Sequence, residues 1–208
     1  MLALLALLFA APVTAEPGRA LAQRVQTFYA HTKDFSAQFA QHYTYLSIGK
    51  VEDSSGNVEV KKPGLVRFDY EKPEKRIIYI EGKTLWIWKP ADQEAQVKRD
   101  FGGDQVSSAF TFLWGKGELL KEFSPKAVET PKNLPAGDAL ELLPVKPTAG
   151  IQKLLFVVSK EGQVLASVLT NPQGDVNQIV FTGSKVDQGL SSARFHFEPP
   201  KGAYVQEF

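Results

Sequence analysis

Phe35-Ser36-Ala37-Gln38-Phe39-Ala40-Gln41-His42-Tyr43-Thr44-Tyr45 is the stretch on which the fold class turns. Phe35, Ala37, Phe39, Gln41, Tyr43 and Tyr45 alternate with Ser36, Gln38, Ala40, His42 and Thr44, a period of two that predicts a long strand with one wet face. The same period recurs downstream. Asp53-Ser54-Ser55-Gly56 reads as a turn, Val58 and Val60 alternate with Asn57, Glu59 and Lys61, Pro63-Gly64 turns again, and Val66, Phe68 and Tyr70 alternate with Leu65, Arg67 and Asp69. Further strands are predicted over 76–81, 84–89, 94–99, 140–143, 152–159, 164–170, 176–182 and 192–197. Their short connections join antiparallel neighbours, since parallel strands need crossovers of about a dozen residues.

Upstream of the long strand, Pro17 can open a helix, and Leu21, Val25, Phe28 and Thr32 follow at helical spacing, predicting an amphipathic helix that ends near Lys33. Between Phe101 and Ser124 the strand pattern stops. Val106, Phe110, Leu113 and Trp114 recur at helical spacing, and Leu119, Leu120 and Phe123 follow after Gly115 and Gly117. This predicts two short helices, capped near Asp104 and stopped by Pro125. Inserted between hairpins of one sheet, they need an apolar surface to cover, and the apolar face of that sheet is the one of matching polarity.

Leu2 to Ala11 form an uncharged apolar run, too short to span a bilayer, followed by Pro12 and the small residues Val13 and Ala15. A secretory leader over 1–15 is expected, although no Lys or Arg follows Met1, with one domain over 16–208. Export then implies the periplasm or the exterior.

The 208 residues carry 24 basic and 23 acidic side chains, and this balance offers no field for a nucleic acid or an anionic surface. With no cysteine, thiolate metal sites, disulfides and thiol nucleophiles are excluded. His31, His42 and His196 stand apart from one another without metal-ligand spacing, so no metal is expected. Gly82-Lys83-Thr84 resembles the end of a phosphate-binding loop, but Ile77 stands where the first glycine belongs and strand residues follow. No pair of carboxylates is marked for glycoside hydrolysis. No cofactor and no enzymatic activity are expected.

The apolar residues say more. Ile77-Ile78-Tyr79-Ile80, Leu85-Trp86-Ile87-Trp88 and Leu154-Leu155-Phe156-Val157-Val158 are apolar on both strand faces, so both sides of the sheet must be covered. Two arrangements fit: a filled barrel core with helices outside, or a sheet curved around an apolar cavity that the inserted helices plug.

Three segments bear a resemblance that covers this pattern in order: Phe35 to Gln41, Gly56 to Tyr70 with Pro63-Gly64-Leu65-Val66-Arg67-Phe68-Asp69-Tyr70, and Gly82-Lys83-Thr84-Leu85-Trp86-Ile87-Trp88-Lys89-Pro90. With the ending Ala193-Arg194-Phe195-His196-Phe197-Glu198-Pro199-Pro200-Lys201-Gly202 as a closing strand and tail, the chain resembles the periplasmic outer-membrane lipoprotein carrier family, LolA-type. The resemblance implies a mainly β fold: an incomplete, half-open antiparallel barrel of about eleven strands with an α-helical lid over a hydrophobic cavity. It also implies a periplasmic chaperone, monomeric, that takes acylated lipoproteins from an inner-membrane ATP-driven extractor and passes them to an outer-membrane acceptor.

Placed on that scheme, Val66, Phe68, Ile78, Ile80, Trp86 and Trp88 are expected to line the cavity for acyl chains, and Phe110, Leu113 and Trp114 to form the lid. For the strand at 84–88 either Trp86 and Trp88 or Leu85 and Ile87 could face inward; the tryptophans are taken. Family members carry an arginine before the proline that aligns with Pro63, which the resemblance casts as a lid latch. Lys62 stands there, without the planar fork of a guanidinium. Two other readings are a lipid-sensing envelope-stress module of the same fold, which is usually joined to a second domain, and an acceptor-like protein, which is normally itself anchored through a cysteine.

Overall fold

A computed structural model of the chain describes residues 17–101 and 118–208. The expected leader and the expected lid residues Phe110, Leu113 and Trp114 lie outside the described residues. Helix α1 spans Pro17–His31. The strands follow as β1 (Asp34–Tyr45), β2 (Lys50–Lys61), β3 (Leu65–Lys72), β4 (Arg76–Glu81), β5 (Thr84–Lys89) and β6 (Glu94–Lys98). After the short helix α2 (Leu119–Glu122) come β7 (Phe123–Val128), β8 (Asp138–Pro144), β9 (Lys153–Val158), β10 (Val164–Thr170), β11 (Val176–Val186) and β12 (Tyr204–Glu207).

These strands form one sheet of 12 in the order β12-β6-β5-β4-β3-β2-β1-β11-β10-β9-β8-β7. Neighbours are antiparallel, as the short connections require, except that β12 lies parallel to β6. The sheet is open, with β7 and β12 as its edges. Its curvature follows from its core. Residues of β1 to β4 and β8 to β11, among them Phe39, Val58, Val66, Ile80, Leu140, Phe156 and Phe181, share one buried cluster with Leu21, Val25 and Tyr29 of α1. Strands about 4.8 Å apart cannot all reach one helix from a flat sheet, so the sheet curls around it.

The sequence reading contains neither β7 nor β12, and four further details differ from it. Asp53 to Gly56 make no turn; β2 runs straight through them, pairing with His42, Gln41, Ala40 and Phe39. The turn is earlier, at Leu46–Ile48, and closes on Gly49 with φ of 62°. Gly56 serves close backbone approach instead, because a Cβ there would stand 1.9 Å from the carbonyl oxygen of Asp69. Pro125 does not stop a helix: α2 ends at Glu122, and Pro125 sits in edge strand β7, where a missing N–H costs no ladder bond. Residues 192–197 form no strand; Ser192–Phe195 is a 3-10 turn leading into an extended tail. Helix α1 also ends two residues early, where Thr32 folds its Oγ1 back onto the carbonyl of Phe28 at 3.0 Å.

Candidate functional site: the concave face

The register places the expected residues face by face. Val66 pairs with Ile80 and Phe68 with Ile78, so these four share one face, and Val60 and Val58 extend the rows across β2. That face belongs to the core shared with α1. Across β5, Ile78 pairs with Ile87 and Ile80 with Leu85. The concave surface is therefore continued by Leu85 and Ile87. Trp86 and Trp88 stand on the convex face instead, where Trp86 pairs with Tyr79 and both rings contact Phe197. A strand apolar on both faces carries no signal for its orientation; the hydrogen-bond register of β4 sets it.

Aromatic rings thicken the concave wall. Phe39 meets Phe68 edge-on at 5.5 Å and Tyr70 at 5.0 Å, while Phe35 meets Phe181 at 5.9 Å. Such perpendicular pairs favour the packing beyond the area they bury. One end of the concave surface is closed by α1. Tyr29 is buried there, with its hydroxyl accepting the N–H of Val164 at 3.1 Å, and burial raises its pKa. At this end the ammonium of Lys62 donates to the carbonyl oxygen of Tyr29. Burial lowers the pKa of Lys62, partly offset by the carboxylate of Asp187. This bond ties the β2–β3 turn to α1; the segment that a lid latch would engage lies outside the described residues.

The other end, bearing the β1–β2, β3–β4 and β5–β6 connections, is wetter. Tyr70 donates to Gln41 at 3.1 Å, and Gln41 donates to Asn177 at 2.9 Å, a polar chain across the concave face that the apolar patterning could not reveal. The guanidinium of Arg76 lies 4.1 Å above the Tyr70 ring, beside a cleft of about 730 Å³ that also touches Lys72, Lys75 and Lys89. Leu46 and Ile48 project from the hairpin tip, 63% and 70% exposed. The surface thus runs from an apolar interior to an amphipathic mouth, a gradient suited to a ligand with apolar chains and a polar head.

His42 pairs with Asp53 and His196 with Glu81, both at the surface. Among the described residues no three His, Asp or Glu side chains gather as a metal would need.

A family model described as outer membrane lipoprotein carrier protein LolA matches residues 30–198. The chain belongs to that family. It is 36% identical to an outer-membrane lipoprotein carrier protein of Chromobacterium violaceum, over 92% of this chain and 90% of that one. A second, from Dechloromonas aromatica, is 28% identical over 88% of this chain and 85% of its own length. Among solved structures, a LolA superfamily protein of Nitrosomonas europaea matches with a TM-score of 0.47 and 14% identity, over 88% of this chain and 99% of that one. The LolA-family chain described here has no helix, among its described residues, long and apolar enough to cross a membrane.

Proposed function

We propose that the chain is a periplasmic carrier whose concave face holds the acyl chains of lipoproteins on their way to the outer membrane. The observation that carries this reading, beside the family membership, is the continuous apolar wall of Val66, Phe68, Ile78, Ile80, Leu85 and Ile87, backed by rings and closed at one end by α1.

The thermodynamic task is large. A triacylated protein exposes about 45 methylenes, and at ~0.8 kcal/mol each their hydration costs on the order of 35 kcal/mol. A carrier needs only to replace that apolar contact, and a wall of branched and aromatic side chains does so without nucleophile, metal or cofactor. Residues 1–15 act as the export leader and 16–208 as the carrier domain. Phe110, Leu113 and Trp114 serve as the lid of this site. An ATP-driven extractor in the inner membrane loads the carrier, and an acceptor at the outer membrane unloads it.

Mass spectrometry of the protein purified from periplasm tests this reading. Co-purifying acylated lipoprotein is expected; phospholipid alone, or no lipid in repeated preparations, would overturn it. The lid is tested separately, since Phe110→Ala and Trp114→Ala should each change lipoprotein release from spheroplasts.

A further inference from the structure

The convex side of the same strands carries a second apolar surface, and the chain's own tail lies on it. Glu59, Arg67, Tyr79, Trp86, Val97 and Glu207 form one cross-strand row from β2 to β12 on this face. The tail begins beside β1, where the buried carboxylate of Asp34 accepts the N–H groups of Gln188, Gly189 and Leu190 at 2.7, 2.9 and 3.1 Å. Arg194 then grips Glu59 through both Nε and Nη2, at 2.9 and 2.5 Å, and its carbonyl accepts from Arg67 at 3.2 Å. Phe195 is fully buried. Phe197 stacks on Tyr79 at 5.0 Å and touches Trp86 and Trp88 at 5.5 and 5.6 Å. The tail re-enters the sheet as β12, with the N–H of Tyr204 on the carbonyl of Gln93 at 2.9 Å.

We propose that this strap sets the curvature of β2 to β6 and thereby the width of acyl cargo that the concave face accepts, with Arg194 as its tie and Phe197 as its wedge. The inference rests on the concave face being the acyl-binding surface. Its physical basis is a constraint of length. Arg194 and Phe197 are three residue steps apart, which reach at most about 11 Å when extended, while the two gaps from β3 to β5 span about 9.5 Å. Curling the sheet more tightly lengthens its convex side, and a strap this short resists that. Flattening the sheet shortens the convex side and presses Tyr79, Trp86 and Trp88 together; the Phe197 ring among them resists that in turn. Each of the strands β3, β4 and β5 shows an acyl-facing side chain at one position and a strap-facing one at the next: Phe68 beside Arg67, Ile78 beside Tyr79, Ile87 beside Trp86.

The two roles predict opposite errors. Binding to the full chain is measured by tryptophan fluorescence and calorimetry for a synthetic peptide with one palmitoyl chain and for the same peptide with three. Phe197→Ala, which lets the box collapse and the sheet flatten, should raise the affinity ratio for three chains over one by about threefold or more. Arg194→Met, which releases the tie and keeps the bulk, should lower that ratio by about threefold or more. Loss of packing alone would weaken both peptides together and leave the ratio in place. A ratio unchanged in both folded variants, or moved in the same direction by both, overturns the strap as a gauge. If the unmodified chain binds neither peptide, the acyl-binding reading itself is wrong and this inference falls with it. Should Phe197→Ala not fold, Phe197→Leu and Arg194→Met carry the same comparison.

Discussion

Asp34→Asn tests the strap's root with an isosteric change. Asp34 is 4% exposed, and its carboxylate divides its work: Oδ1 accepts from Gln188, and Oδ2 accepts from Gly189 and Leu190. In asparagine one oxygen becomes an NH2 group; the amide oxygen keeps Gly189 and Leu190, the N–H of Gln188 then faces a donor, and all three bonds lose their charged acceptor. Orphaned buried donors cost about 1–3 kcal/mol each, and bonds to a charged acceptor are the stronger kind. The Gln188 contact is only partly buried, and water offsets some of the loss. The expected destabilisation is about 3 kcal/mol, which for a chain of this length lowers the melting temperature by about 6–12 °C. Asp187→Asn is the control, because Asp187 accepts the single N–H of Lys33 at an exposed site and should cost under about 1 kcal/mol. Thermal unfolding followed by circular dichroism at neutral pH measures both. A drop of less than about 2 °C for Asp34→Asn, or equal drops for the two variants, would show that the root is not held as described.

Three further outcomes follow from the geometry. Leu85→Asp or Ile87→Asp places a charge on the concave face and should reduce palmitoyl-peptide binding by about tenfold or more, whereas Trp86→Phe on the convex side should leave it within about twofold; the reverse order in a titration would invert the faces. Gly56→Ala cannot keep the β2–β3 register, since its Cβ would overlap the Asp69 carbonyl, and a loss of about 3 kcal/mol or more, or failure to fold, is expected in denaturant melts. The His196 ring titrates above its ordinary range because it is hydrogen-bonded to Glu81 and then to Glu198. Its folded pKa being raised, the pairing supports the fold fully below the unfolded value near 6.5 and is lost as pH rises through the folded value. An NMR titration should show the raised midpoint, and Glu81→Gln should bring it down; an unmoved midpoint would remove Glu81 as the cause.

Most strands were legible from alternation, but the two edge strands β7 and β12 were not. β1 announces itself from Phe35 to Tyr45, and the bounds of β4, β5 and β10 are those predicted, 76–81, 84–89 and 164–170. Legibility failed where one residue type serves two purposes. Gly56 reads as a turn residue but is a close-contact residue, and Pro125 reads as a helix stop but is tolerated in an edge strand. Phe195 and Phe197 alternate like strand residues because both face the sheet, yet they pack on it as a strap. At the site, Val66, Phe68, Ile78 and Ile80 could be grouped from alternation, while Trp86 and Trp88 could not be oriented.

Alternation and turn chemistry along the chain therefore suffice for a large antiparallel sheet and an amphipathic helix before it. Those are local properties, written in the period of two, the period of 3.6 and the residue inventory. Which face of β5 looks inward, where Lys62 spends its ammonium and what covers Tyr79, Trp86 and Trp88 are settled by long-range contacts. Ile78 must meet Ile87 across β4 and β5, Lys62 must reach α1, and a tail that begins beside β1 must cross to β6. A side-chain pattern of period two is unchanged when a strand turns over; only pairing with its neighbours chooses the side, and in this chain that choice separates the concave surface from the convex one that the tail covers.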